Sequence, residues 1–482
     1  MSVSTNTTSA VRFEHDLLGE KPIPVTVLYG VHTARALENF TISGTPISHH
    51  TDLVDALVSV KQAAALTNQK LGLLDDRIAA AIVAACKDIR AGNHHEHFVV
   101  DVIQGGAGTS TNMNANEVVA NLALDILGVE RGRYDVVHPL EHVNLGQSTN
   151  DVYPTAVKIA LQYAIRRLTN AMDDLAQAFS LKSVEFGQYL KMGRTQLQDA
   201  VPMTLGQEFG TYAVMVGEDA ERLGEAALLV AEINLGGTAI GTGLNTHPAY
   251  TAEVCEALRT ITALPLSTAT NLVEATQDVG SFVQLSGVLK RTAVKLSKVC
   301  NDLRLLSSGP RVGLGEINLP AVQAGSSIMP GKVNPVIPEV VNQVAFRVIG
   351  HDVTVSIAAE GGQLQLNAFE PVIAHSLFSS LAELTAACEV LTNKCVVGIT
   401  ANVEHMRGGV ERSIGLATAM SPLLGYDGAT RVATTALATG RLVTQIVLEQ
   451  NLLTAEQLDA VLDPDYLTGS GRVRAATAPR EI

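Results

Sequence analysis

Three stretches of this chain place apolar side chains alternately three and four residues apart, and a chain patterned in this way has few means of burying them. Leu161, Ile165, Leu168, Met172, Leu175 and Phe179 form the first stripe. Phe282, Leu285, Leu289, Leu296, Val299, Leu303 and Leu306 form the second, with Thr292 in its one polar slot, and Ile337, Val341, Val344 and Val348 form a third. Such seams predict long helices crossing at small angles, and so a mainly α fold built on a helix bundle. Aromatic residues make up only 4% of the 482 residues and tryptophan is absent, so Ala, Leu and Val must fill the core. Compact side chains of this kind fit the grooves between helices better than the space between two sheets. Strand-like alternation is faint, and short sheets are expected only near the ends. The first dozen residues are polar and read as a disordered tail. The bundle pattern breaks at Pro422–Gly425, which puts the start of a small C-terminal domain near Met406.

A formal net charge of −14 argues against general nucleic-acid binding, which needs clustered Lys and Arg to neutralise phosphates. The same charge means that an anionic substrate has to be captured by a locally positive site. Five cysteines at irregular spacing, with no CxxC pair, predict neither a zinc site nor a disulfide framework. The N-terminus lacks the basic-then-apolar order of a secretory signal, and no apolar run approaches the roughly 20 residues that span a bilayer. A cytoplasmic protein without membrane contact is the expectation.

Between the helical stretches lie connectors rich in Gly, Ser, Thr and Asn: Gly105–Asn114, Gly146–Asp151, Gly193–Asp199, Gly236–Asn245 and Gly325–Pro335. Nucleotide readings fail on spacing. In the last connector, Gly325 is one residue too far from Gly331-Lys332 for a P-loop, and Val333 stands where a magnesium-binding Ser or Thr belongs. The fourth follows no predicted strand, which leaves a dinucleotide fingerprint unsupported. His94, His95 and His97 around Glu96 read as a solvated loop. His138 and His142 are separated by Pro139, which disfavours a helical ligand pair. No metal site is expected from either group.

Several connectors carry helix-start chemistry. Asn334-Pro335 reads as N-cap and first helical residue, Ser148–Asp151 precedes the first apolar stripe, and Thr109–Asn114 precedes a helical run at Glu117–Leu127. Thr204 and Gln207 have the spacing of a capping box. Helix N-termini offer free N–H groups and a positive dipole end, so with Lys332 these starts make a plausible cage for a small dicarboxylate.

Taken together, the connectors resemble a known family. GSSIMPGKVNP (Gly325–Pro335) looks like the signature of the aspartase/fumarase superfamily. IQGGAGTSTNMNANEV (Ile103–Val118), HVNLGQSTND (His142–Asp151) and KMGRTQLQDAVPMTLGQEF (Lys191–Phe209) fit it in order, and the likeness runs from Asp16–Glu20 to Leu452–Asp459. The resemblance implies an aspartase/fumarase-like fold of three domains, here 1–149 (mostly helical), 150–405 (central helix bundle) and 406–482. It also implies a homotetramer with each site shared between subunits, and chemistry that needs no cofactor.

Within the family, GAGTSTNMN is similar to the form of the aspartate ammonia-lyases, and Gln196 stands where fumarases carry a histidine that handles water. Glutamine cannot exchange a proton near neutral pH, which favours ammonia elimination over hydration. The expected reaction is loss of ammonia from aspartate to give fumarate. The alternatives are hydration of fumarate, action on a substituted aspartate, or a non-catalytic homologue. By resemblance Ser326 is the base. Thr109, Ser148, Thr149 and Ser327 would hold the carboxylate that gains charge, Lys332 and Asn334 the other carboxylate, and Asn150, Thr195 and Gln196 would surround the amine.

Overall fold

The computed structural model describes residues 10–469. In chain order they form β1 (Val11–Asp16), β2 (Gly19–Pro24), α1 (Val31–Asn39), α2 (Thr51–Lys70), α3 (Asp76–Arg90), α4 (Thr109–Ile126) and α5 (Thr149–Glu185). Next come β3 (Leu190–Thr195), β4 (Gln198–Thr204), α6 (Leu205–Leu229), β5 (Glu232–Ile233), α7 (Tyr250–Thr262), β6 (Ser267–Thr268), α8 (Leu272–Gln277) and α9 (Gly280–Leu306). The rest comprises β7 (Ile317–Asn318), α10 (Val336–Glu360), α11 (Glu370–Lys394), β8 (Thr400–Ala401), α12 (Val403–Arg412), α13 (Leu416–Thr439) and three short helices.

The fold is mainly α, as the stripes require. Every residue of the α5 stripe is buried, as is every residue of the α9 stripe, Thr292 included. On α10 the register is shifted: Val341, Ala345, Val348 and Val355 are buried, while Ile337 and Val344 are only partly covered. The longest helices are neighbours in sequence-distant pairs. Gln162 of α5 donates to the Ala227 carbonyl of α6, and Phe179 of α5 stacks edge-on against Tyr212 of α6. Lys295 of α9 reaches the Met215 carbonyl of α6, Asn342 of α10 bonds Ser297 of α9, and His351 of α10 meets Ser380 of α11.

The chain divides into two compact units. The first holds residues up to Thr169, Glu221–Ala293 and Phe346–Thr385, and the second holds Asn170–Ala220, Val294–Ala345 and the chain from Ala386.

Among the described residues there are four two-stranded sheets, and three of them lie in the interior of the sequence, away from the ends where sheets were expected. The β3–β4 hairpin turns on Gln196 and Leu197, both with positive φ (54° and 64°), without the Asn-Gly or Asp-Gly pair that usually marks such a turn. The β5–β6 and β7–β8 ladders are two residues long, too short to leave a period. The polar tail also ends earlier than its composition suggests, since Val11 and Arg12 already pair with Pro24 and Ile23. Residues 1–9, the remainder of that tail, lie outside the described residues.

Candidate active site

In the first unit, α4 starts at Thr109, eight residues ahead of the predicted Glu117, so most of the Gly105–Asn114 connector is helix. Polar residues concealed this start. Asn112, Asn114 and Asn116 are all buried and each is hydrogen-bonded, Asn114 to the Val99 N–H and the His97 carbonyl. Gly108 precedes the helix at φ +88°, where a Cβ would lie 2.5 Å from the Tyr153 ring. Thr109 is exposed and donates its hydroxyl to the Gly106 carbonyl (2.7 Å).

Ser148 caps α5. Its Oγ accepts from the Asn150 N–H (3.3 Å), and its own N–H donates to Asp151 Oδ1 (2.9 Å). The other oxygen of Asp151 accepts from Gly236 N (3.0 Å) and Thr238 N (2.9 Å). Burial pushes this carboxyl up to about 6, and the three backbone donors pull it back. The Gly236–Asn245 connector does follow a strand, β5, and is succeeded by α7 and the parallel β6, contrary to the sequence reading. Even so, Asp151 already occupies the Gly236 and Thr238 amides that would otherwise face an anion. Asn150 donates its amide to the Ala239 carbonyl (2.7 Å), which leaves its oxygen as the end available to a ligand. Thr149 Oγ accepts from Asn112 Nδ2 (3.2 Å).

Sequence reasoning missed Lys61. It lies wholly buried on α2 among Leu57, Val58, Ala63 and Ala64, and a lysine inside so apolar a run was the available signal. Its Nζ donates to Asn112 Oδ1 (2.7 Å), Asn144 Oδ1 (2.9 Å) and Gln147 Oε1 (2.9 Å). Burial pushes its pKa down to about 7, yet three oxygen acceptors are satisfied only by the charged form with three N–H donors.

The second unit carries the other six candidates. Thr195 and Gln196 stand exposed at the tip of the β3–β4 hairpin. The adjacent Arg194 pairs with the buried Glu316 (2.6 Å), which also meets the buried Lys191 (2.7 Å). The Gly325–Pro335 loop folds on itself. Asn334 Nδ2 donates to the Gly325 carbonyl (2.6 Å), and a Cβ at position 325 would lie 2.2 Å from the Lys332 carbonyl. Pro335 rather than Asn334 accepts the first intrahelical bond of α10, from Glu339. Ser326 is half-buried, and its Oγ accepts from two backbone groups, Ile328 N (3.2 Å) and Met329 N (2.8 Å). Ser327 and Lys332 are exposed. A cavity of about 720 Å³ runs along this loop, lined by Lys332 and Asn334 with Arg304, Ser308 and Asn318.

The histidine groups divide. His138 Nδ1 accepts from Leu140 N and Glu141 N, and His142 Nδ1 from His138 N, so both rings brace the backbone. Pro139 opens a π turn over Pro139–Val143 and His138 stays extended at its N-cap, so the two histidines do not form a helical pair. His94, Glu96 and His97 bring ligand-type atoms within 4.8 Å of one another, the one such group among the described residues. His94 Nε2 is already paired with Asp88 (3.0 Å).

Comparison with known proteins shows the family and the fold. The family described as Lyase matches residues 19–350, and that described as Fumarase C C-terminus matches 416–469. The chain is 57% identical over 460 residues to the aspartate ammonia-lyase of Pseudomonas fluorescens, covering 95% of this chain and 96% of that one. To the aspartate ammonia-lyase of Escherichia coli K12 it is 52% identical over 458 residues, again 95% and 96% of the two chains. The fold superposes on the fumarate lyase:delta crystallin of Brucella melitensis bound to cobalt with a TM-score of 0.93 at 55% identity, covering 95% and 100% of the chains. On the class II fumarase of Schistosoma mansoni the TM-score is 0.91 at 35% identity, covering 95% and 99%.

Proposed function

The chain belongs to the aspartase/fumarase superfamily of lyases, and on that premise we propose that it eliminates ammonia from L-aspartate to give fumarate, reversibly, with Ser326 as the base. The observation that carries the serine assignment is the pair of N–H groups aimed at its oxygen, from Ile328 and Met329. A serine hydroxyl is a poor base unless its alkoxide is stabilised, and two backbone donors at 2.8–3.2 Å do that without adding a titrating group.

The chemistry runs in two stages. Ser326 takes a proton from C3, and the electrons of that bond flow into the adjacent carboxylate, giving an aci-carboxylate with close to two negative charges. That charge then collapses to form the C2–C3 double bond, and the C2–N bond breaks with its electrons leaving on ammonia. The energetic burden is the charge on the intermediate, best met by donors already in place. We assign that task to Thr109, Ser148, Thr149 and Ser327, the second carboxylate to Lys332 and Asn334, and the amine to Asn150, Thr195 and Gln196. The open amide oxygen of Asn150 suits an ammonium group. No step calls for an electron carrier.

Following the ultraviolet absorbance of fumarate formed from aspartate, malate and N-substituted aspartates tests the leaving group. Fumarate from aspartate but not from malate is the expected result. Malate as the only substrate would make the chain a fumarase, and inertness of a folded protein toward all three would make it a non-catalytic homologue. Lys332→Ala should raise KM for aspartate by about 10-fold or more with a smaller change in kcat, since it removes a charge that binds both ground and transition states. An unchanged KM would remove Lys332 from the site.

We further assign a homotetramer with sites shared between subunits, in the cytoplasm. Support comes from apolar side chains left exposed on long helices: Val214 on α6, Val294 on α9, and Phe346, Val353 and Ile357 on α10. Among the described residues no helix is long and apolar enough to cross a membrane. Dilution should lower specific activity in step with dissociation. Full activity in a species shown to be monomeric would overturn the shared site.

A further inference from the structure

We propose that Asn112, held in one orientation by the buried ammonium of Lys61, is a positioning residue that commits the Thr149 hydroxyl to donate outward, toward the charge that develops on the substrate. This rests on the assignment of Thr149 to the aci-carboxylate made above.

The argument begins with what Lys61 can and cannot do. An ammonium has three donors and no acceptor. The Asn112 atom 2.7 Å from Nζ is therefore its oxygen, and the NH₂ end must face the other way. Facing it there are Thr149 Oγ and Asn144 Oδ1, each at 3.2 Å. Asn144 Oδ1 itself receives Lys61 and Asn116, so every neighbour of the amide is consistent with one orientation only. A hydroxyl has one hydrogen, and accepting from Asn112 turns that hydrogen away from the amide. Among the described residues no acceptor pairs with the Thr149 hydroxyl hydrogen, so its outward direction stays open to a ligand. Thr109 provides the contrast, because its hydroxyl hydrogen rests on the Gly106 carbonyl and has to turn away from it to reach a ligand.

The consequence is a donor that needs no rearrangement when charge appears. A free hydroxyl can rotate and accept as readily as donate, whereas one with its lone pair occupied presents the substrate with a hydrogen. Preorganised donors of this kind act mainly on the transition state, so their loss appears in kcat.

Two substitutions separate orientation from packing. Asn112→Asp keeps the shape and gives Lys61 an ion pair, but places an acceptor where the NH₂ group stood, so the Thr149 hydroxyl turns inward to donate to it. Asn112→Ala removes the amide and lets the hydroxyl rotate freely, while leaving Lys61 one acceptor short. Orientation predicts that Asp is the worse change for catalysis, with kcat on aspartate down about 100-fold and KM within a few-fold, against about 10-fold for Ala. A packing role predicts the reverse order, since Asp preserves volume and satisfies the lysine. Thr149→Ala should match Asn112→Asp, and the double variant Asn112→Asp/Thr149→Ala should be no worse than either, because both changes remove the same donor.

The outcomes are distinct. Ala worse than Asp, or kcat within a few-fold of wild type in Asn112→Asp while Thr149→Ala loses activity, overturns the orienting role and leaves Thr149 in the site. Full activity in Thr149→Ala overturns the Thr149 assignment itself. Should Asn112→Asp fail to assemble, Asn112→Ala decides alone: wild-type kcat refutes the proposal, and a loss of about 10-fold at near-normal KM supports it.

Discussion

Ser326→Ala should lower kcat on aspartate by about 10³-fold or more, equivalent to ~4 kcal/mol of transition-state stabilisation. The proton on C3 is only weakly acidic, and no other group in the Gly325–Pro335 loop is placed to take it. Ser327 is exposed without a backbone donor at its hydroxyl, and Lys332 is assigned above to the other carboxylate. The loop itself should survive the change. Its shape is held by the Asn334–Gly325 bond and by the close approach of Gly325 to the Lys332 carbonyl, neither of which uses the serine. Fumarate binding by the variant should therefore remain measurable, through protection against thermal unfolding or by calorimetry. Turnover within a few-fold of wild type would sink Ser326 as the base. Loss of binding together with turnover would recast it as a binding residue.

The largest effect on stability should come from Glu316→Ala, which we expect to cost about 3–5 kcal/mol. Glu316 is 3% exposed and holds two cations, Arg194 through Oε1 and Lys191 through Oε2. Lys191 is 2% exposed, so removing Glu316 leaves a buried ammonium with Glu208 alone. Arg194 would keep only Asp199 at 3.8 Å. Breaking one partner out of a buried ionic cluster is far more damaging than replacing the whole cluster, because the stranded charges cannot recover their hydration. Glu316→Gln, which keeps the shape but not the charge, should fall between wild type and Ala. Denaturant unfolding of the assembled protein measures both, and a loss below about 1 kcal/mol for Ala would mean that water already solvates the cluster. Since Arg194 adjoins Thr195 and Gln196, a drop in activity ahead of unfolding would also show that the hairpin tip depends on this anchor.

How much of this was legible in the amino-acid order varies by element. The α5 and α9 stripes could be read residue by residue, because a helix facing a core repeats its environment every three to four positions. The Thr204–Gln207 capping box was equally legible, and both of its hydrogen bonds form (3.0 and 2.9 Å). The β3–β4 hairpin was not, since its turn residues are neither glycine nor asparagine and adopt positive φ under tertiary constraint. The early start of α4 was hidden for the opposite reason: its first turns carry Thr, Ser and Asn, which by local preference favour a loop. They form a helix because partners distant in the sequence hydrogen-bond the buried Asn112, Asn114 and Asn116 side chains.

The sequence by itself determined the helical class, the family, and the glycine-framed loop that nominates Ser326. These are properties of short windows, set by periodicity and by residues adjacent along the chain. Only the tertiary structure decided where the helices begin, that Pro335 rather than Asn334 caps α10, and which way the polar groups point. Lys61 meets Asn112 across 51 positions, and Asp151 meets Gly236 across 85. A buried charge or amide has no preferred partner until folding excludes water from it. Its direction is then fixed by the few acceptors and donors left within reach.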